Sequence, residues 1–182
     1  LKISFNNVNI DLNKIFKKKK FLELLSDKLG VNVDGISENQ LKKICKEKQI
    51  QVESDANIGQ ILDTLMGDLV EPTLIEPTFV IDYPKVISPL AKMHRSGDPN
   101  LVERFELFIG GDEFANSFSE LNDPIDQRKR LEEQSSFKKL GDEEAQSFDE
   151  NFIQAMECGM PPTGGVGIGI DRLVMLLTES SS

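Results

Sequence analysis

The chain has little of what several function classes need. Its 182 residues hold two cysteines and one histidine. Cys45 and Cys158 stand too far apart for a metal-ligand spacing, so two ordinary thiols in a reducing compartment are the simplest account. Positive charge is scarce: 21 basic against 31 acidic residues leave a net charge of −10. That balance opposes generic binding to nucleic acid or to an anionic membrane, and any polynucleotide contact must be local. No apolar run approaches membrane-spanning length, and no charged-then-apolar leader opens the chain, so the expectation is a cytoplasmic protein. There is no internal repeat, and no low-complexity tract apart from the closing serines. The glycine-rich stretch near the end is neither GxGxxG nor a Walker loop.

What is present reads as one domain with a real core, at 38 % hydrophobic and 29 % charged residues. The first residue is Leu1, which points to a fragment or to the ordered part of a longer polypeptide. Leu1–Phe5 and Val8–Leu12 alternate around Asn6-Asn7 and predict a hairpin. Ile15, Phe16, Phe21, Leu22, Leu25 and Leu29 recur at helical spacing before Gly30, with Lys17–Lys20 as the solvated face at the helix start. Ser37 with Gln40 fits a capping box, and Ile58, Ile61, Leu62, Leu65 and Leu69 predict a further helix. Residues 13–70 therefore read as a helical insertion, and 71–182 as the core that carries the chemistry.

In that core, Thr78–Ile81 reads as a short strand between prolines, and Ser88–Arg95 as a loop holding His94, taken as a loop-packing residue. Arg104–Ile109 and Asp112–Leu121 flank Gly110-Gly111 as a hairpin over 104–121. Asp123 caps a helix that begins at Pro124 and is broken at Gly141. Phe148, Phe152, Ala155 and Met156 predict the apolar face of another helix. Gly164 to Arg172 then forms a strand that gives way to a helix. A glycine at every second position strips one strand face of side chains, and an arginine in the first helical turn beside free N–H groups suits a phosphate.

The hairpin holds the other half of a site. Glu106, Glu113 and Glu120 are poor strand formers, and two carboxylates facing one another repel unless a cation lies between them. Mg2+ carried by a nucleotide triphosphate suits such a pair. Asn116, Phe118 and Glu120 alternate, so an amide, a ring and a carboxylate share one side. Together they match a ligand with a polar head, an apolar stem and a cationic end, which is the shape of lysine. Parity sets a condition. With a two-residue loop, Glu106 and Glu113 face together on the side opposite to that trio, so one shared site predicts a β-bulge between Glu113 and Asn116.

These residues resemble the class II lysyl-tRNA synthetases, in their eukaryotic style. Phe105–Phe108, Asn116–Pro124, Ser88–Lys92 and Gly159–Arg172 carry the likeness, which covers roughly residues 65 to 178 in register. The resemblance implies an α+β fold, with an antiparallel sheet flanked by helices, and the third family motif over 159–178. It implies that lysine and ATP give lysyl-adenylate and that the aminoacyl group then passes to tRNA(Lys). Residue by residue, Glu106 and Glu113 would hold Mg2+ and Glu113, Phe114, Gly169, Ile170, Asp171 and Arg172 would meet ATP. Asn116, Phe118 and Glu120 would take lysine, and Arg172 would act on the phosphates in catalysis. The family's first and second motifs and its anticodon-binding barrel have no counterpart here, so a homodimer would form through other parts. Half a catalytic domain is then expected, inactive alone. A non-enzymatic paralogue is the other reading, and Glu120 argues against a relative specific for aspartate or asparagine.

Overall fold

The computed structural model describes residues 1–5, 8–139 and 145–180. Two strands, β1 (Lys2–Phe5) and β2 (Val8–Asp11), pair antiparallel as their alternation predicts; the Asn6-Asn7 turn lies outside the described residues. A five-stranded sheet follows in the order β3-β4-β5-β6-β7. Its strands are β3 (Lys17–Lys20), β4 (Thr78–Pro84), β5 (Leu101–Ile109), β6 (Asp112–Ser119) and β7 (Gly164–Ile168). All neighbours are antiparallel except β3 and β4, which run parallel.

The lysine run is thus a strand, where helix was expected. Helix α1 (Phe21–Leu29) starts only after it, and Ile15 is left 95 % exposed in the preceding segment. The physical reason is the free edge of β4. Four lysines whose side chains all stay exposed complete it, and like charges on an outer strand discourage a further strand from adding. Helix α1 buries Phe21, Leu25 and Leu29, at a spacing of four, and ends at Gly30 in the left-handed conformation.

Helices α2 (Glu38–Glu47) and α3 (Ile58–Leu65) each open with a complete capping box, Ser37 with Gln40 and Asn57 with Gln60. The chain then tightens through a π turn, Met66–Val70, and a 3-10 turn, Glu71–Thr73. Leu41, Ile61, Leu65 and Val70 from these elements share one core with Val80, Val102 and Phe108 of the sheet. Val80 lies opposite Glu106 in the register, so the helical layer covers the sheet face that carries Glu106, at its β4–β5 side. A second cluster joins Phe5 and Ile10 of the first hairpin to Ile109, Phe114 and Leu176.

Asp123 accepts hydrogen bonds from the Ile125 and Asp126 N–H groups, at 2.9 and 3.3 Å, and begins α4 (Pro124–Lys139) as its capping role predicts. Gly141 lies outside the described residues. Helix α5 (Glu150–Glu157) buries Ile153 and Met156, while Phe152 is 39 % exposed and Ala155 is also exposed. The apolar face expected there is rotated because Asp149 caps the helix, which places Phe148 before its first turn. Helix α6 (Ile170–Thr178) closes the chain and anchors Leu176 against β1 and β2. Cys45 is buried and Cys158 exposed, both as free thiols.

Candidate functional site

The site is built on the sheet face that carries Glu106, beside the helical layer and toward β7. In β5 and β6, Glu106 lies opposite Asn116 and Arg104 opposite Phe118; in β6 and β7, Asn116 lies opposite Gly167 and Phe118 opposite Gly165. Directly opposed residues of antiparallel strands share a face. Arg104, Glu106, Asn116 and Phe118 therefore stand in one field, and β7 adds glycines to it and no side chains.

The expected bulge is present. Phe108 pairs with Glu113 but Leu107 pairs with Ala115, so Phe114 is the extra residue and the register shifts between Leu107 and Phe108. That one insertion returns Glu113 to the face of Glu106 and Asn116. It also turns the Phe114 ring away: it is 3 % exposed and sits edge-on to Phe5 at 5.8 Å between centroids. Of the residues expected to meet a nucleotide, Phe114 is the one whose ring lies in the core. Its carbonyl, in contrast, accepts from the Gly169 N–H at 3.0 Å and fixes the start of α6.

Glu120 follows the end of β6. Its N–H donates to the Thr163 carbonyl at 2.9 Å, and it bridges to Ala91. The Ser88–Lys92 loop runs beside this stretch: Lys92 N–H donates to the Ser119 carbonyl at 2.7 Å and Leu121 N–H to the Leu90 carbonyl at 2.9 Å. Helix α4 clamps the loop from behind, where the buried Arg130 donates to the Ala91 carbonyl at 2.8 Å and Gln127 to the Pro89 carbonyl at 3.1 Å. The Glu120 carboxylate leans over Gly165, where a Cβ would lie 2.5 Å from Oε1. Burial pushes this carboxyl above its ordinary range, and no cation is paired with it among the described residues.

At the other end, Arg172 stands in the first turn of α6 and donates to the Glu113 carbonyl. Ile170 and Asp171 are exposed beside it. The Glu113 carboxyl is raised by burial and then by the Glu106 charge. Among the described residues no three His, Cys, Asp or Glu side chains are grouped to hold a metal by themselves. Two hard carboxylates on one face do fit an ion that brings its remaining oxygens with a phosphate. Glu106 is 8 % exposed; Tyr83 donates to its Oε2 at 2.6 Å and Arg104 to its Oε1. Each carboxylate oxygen has two lone pairs, so one on each stays available to a cation.

Three neighbours were not among the expected site residues. Arg104 precedes Glu106 by two, so parity alone puts it on the same face. The Tyr83 hydroxyl reaches Glu106 from β4, which no local signal announces. Glu71, at the start of the 3-10 turn, is pushed up to about 7 by burial and by the charges of Glu106, Asp63 and Glu113. It arrives because this turn docks on the loop at Gly111, whose Cβ would stand 3.5 Å from the Pro72 Cα. His94 is a loop residue as expected, with Nε2 3.3 Å from Asp82 Oδ1 and Nδ1 2.8 Å from Ser96 Oγ.

A sheet with a glycine-faced strand running into a helix that carries an arginine in its first turn, beside paired carboxylates, defines the class. The family described as tRNA synthetases class II (D, K and N) matches residues 2–182, and the chain belongs to it. Within it the chain is similar to lysine–tRNA ligases: 52 % identical over 184 residues to that of Thermosynechococcus vestitus, covering 100 % of this chain and 36 % of the relative. It is 52 % identical over 174 residues to that of Gloeobacter violaceus, covering 95 % and 35 %. With that of Leuconostoc mesenteroides it shares 45 % over 183 residues, covering 100 % and 37 %. The chain spans about a third of the length of the curated relatives it matches.

Proposed function

We propose that the chain forms the lysine- and ATP-facing part of the catalytic domain of a lysine–tRNA ligase. The observation that carries this reading is the Phe114 bulge, which brings Glu106, Glu113, Asn116 and Phe118 to one face beside the glycines of β7. Asn116 takes the amino-acid head, Phe118 the aliphatic stem, and Glu120 the ammonium. Glu120 suits that ammonium because its partly desolvated carboxylate has no cation partner among the described residues, and a charge-assisted hydrogen bond relieves both groups. ATP lies along Gly169, Ile170 and Asp171, with Phe114 contributing backbone and Arg172 neutralising phosphate charge.

The lysine carboxylate is itself the nucleophile. Its oxygen attacks the α-phosphorus of ATP, the bond to the β-phosphate breaks, and pyrophosphate leaves; a hydroxyl of tRNA(Lys) then takes the acyl group of lysyl-adenylate as an ester, and AMP leaves. No side chain is asked to be a general base, and catalysis is positioning with charge neutralisation. Glu106 and Glu113 would hold Mg2+, which supplies neutralisation of the phosphates when bound. The homodimer, the tRNA contacts and a cytoplasmic setting belong to the same proposal. Among the described residues no helix is long and apolar enough to cross a membrane. The eukaryotic character of the likeness rests on the motif set alone; the relatives named above are bacterial.

Lysine-dependent ATP–pyrophosphate exchange by the full polypeptide tests the reading. Exchange with lysine and not with aspartate or asparagine is expected. Absence of exchange with lysine overturns it.

A further inference from the structure

We infer that Arg104 and Tyr83 are positioning residues that tie the carboxylate end of the site to its lysine end. The inference rests on the function proposed above. Arg104 spreads its guanidinium over four acceptors: Nη2 donates to Glu106 Oε1, Nε to Asn116 Oδ1 at 3.2 Å, and Nη1 to the Ile87 carbonyl and to Ser88 Oγ, both at 2.9 Å. Its carbon lies 4.6 Å from the centroid of the Tyr83 ring, and the Tyr83 hydroxyl holds the other oxygen of Glu106. The Tyr83 ring is fixed in turn by Phe21, 4.9 Å away. The arginine side chain is 17 % exposed and that of Glu106 10 %, so both are held with little solvent to screen them.

Two consequences follow from the donor chemistry. Arginine has donors only, so the atom of Asn116 that faces Nε is its carbonyl oxygen, and the amide NH2 is the group left for a ligand. An NH2 donor recognises the carboxylate of an amino acid and not its α-ammonium. Glu106 meanwhile is pinned through both oxygens, with one lone pair left on each for a cation. A rigid fork that bonds Glu106 and Asn116 at once couples the two ends of the site, and a lysine at this position cannot reproduce it. The Tyr83 hydroxyl bonds Glu106, while its ring stays on Arg104, so removal of the hydroxyl alone acts on the carboxylate end.

Substitutions in the full polypeptide separate these roles through two binding titrations: lysine by calorimetry without ATP or divalent ion, and ATP at varied Mg2+. Arg104→Lys is expected to weaken lysine about tenfold, the effect of one lost hydrogen bond to a charged group, and to raise the Mg2+ needed for half-maximal ATP binding. Tyr83→Phe is expected to raise the Mg2+ requirement while lysine affinity stays within about twofold. A protein merely loosened by either change would shift both titrations with both variants, and that result overturns the inference. So does Arg104→Lys moving only one of them. Should Arg104→Lys fail to fold, Tyr83→Phe decides alone, since an unmoved Mg2+ requirement refutes its role. If the unsubstituted polypeptide binds no lysine, the proposed function falls; if it binds lysine and the variants behave like it, only the positioning role falls.

Discussion

A methyl group at Gly165 should separate folding from lysine recognition. The position is backbone-compatible with alanine, because Gly165 is not among the residues of positive φ. Gly165→Ala on a strand then stabilises by about 0.4–1 kcal/mol through the unfolded chain, or at worst is neutral. The new Cβ meets only Glu120, 2.5 Å from Oε1 and 3.7 Å from Cδ. A carboxylate at the end of a flexible side chain moves aside at small cost to the fold. It moves, however, off the position from which it would pair with the lysine ammonium. A charge-assisted hydrogen bond is worth about 1.5–3 kcal/mol, so lysine affinity should fall about 10- to 150-fold, with ATP affinity unchanged. The assay is the KM for lysine in ATP–pyrophosphate exchange, run beside a thermal melt. A double-mutant cycle sharpens it: on a Glu120→Ala background the methyl has no atom to displace, so Gly165→Ala should then cost almost nothing. Additive losses, or a lysine KM within about threefold of the parent's, would refute the argument that glycine is there to seat Glu120.

Two further outcomes are expected. Glu71 has its folded pKa raised from 4.5 to about 7. Between those values the unfolded chain is ionised there while the folded one keeps its proton, so this group's contribution to stability falls as pH rises through that window and stays low above it. Glu71→Gln should therefore raise the melting temperature at pH 8 and leave it nearly unchanged below pH 4.5. A shift of equal size at both ends contradicts the assignment. Gly110 has φ +64°, and a Cβ there would lie 2.8 Å from the Phe5 ring. Gly110→Ala should cost about 1–3 kcal/mol, seen as a drop in the denaturant midpoint, and a neutral result would mean that the β5–β6 turn does not press on the first hairpin.

The local elements were legible because their signals are local. Capping residues such as Ser37 and Asp123 bond to N–H groups two or three positions ahead, and the Gly110-Gly111 pair selects its own turn. The bulge was legible too, since Glu113 and Asn116 are an odd number apart and share a face only if a residue is inserted. Lys17–Lys20 misled because the free edge of β4, some sixty residues away in sequence, decides its state.

Read along the chain, the residues establish most of the elements, though not the Lys17–Lys20 strand, together with the parity of the carboxylates along the hairpin and the spacing of the glycines that bare one side of β7. These follow from period and from steric freedom, and both are properties of neighbouring residues. What those side chains meet is set by packing between distant segments. Tyr83 and Arg104 grip Glu106 from two strands, Glu71 comes in on a turn docked against Gly111, and Glu120 lies over Gly165. Such contacts depend on the distances between strands and on burial, which raise the cost of a charge or relieve it, and one chain's order of residues does not encode them locally.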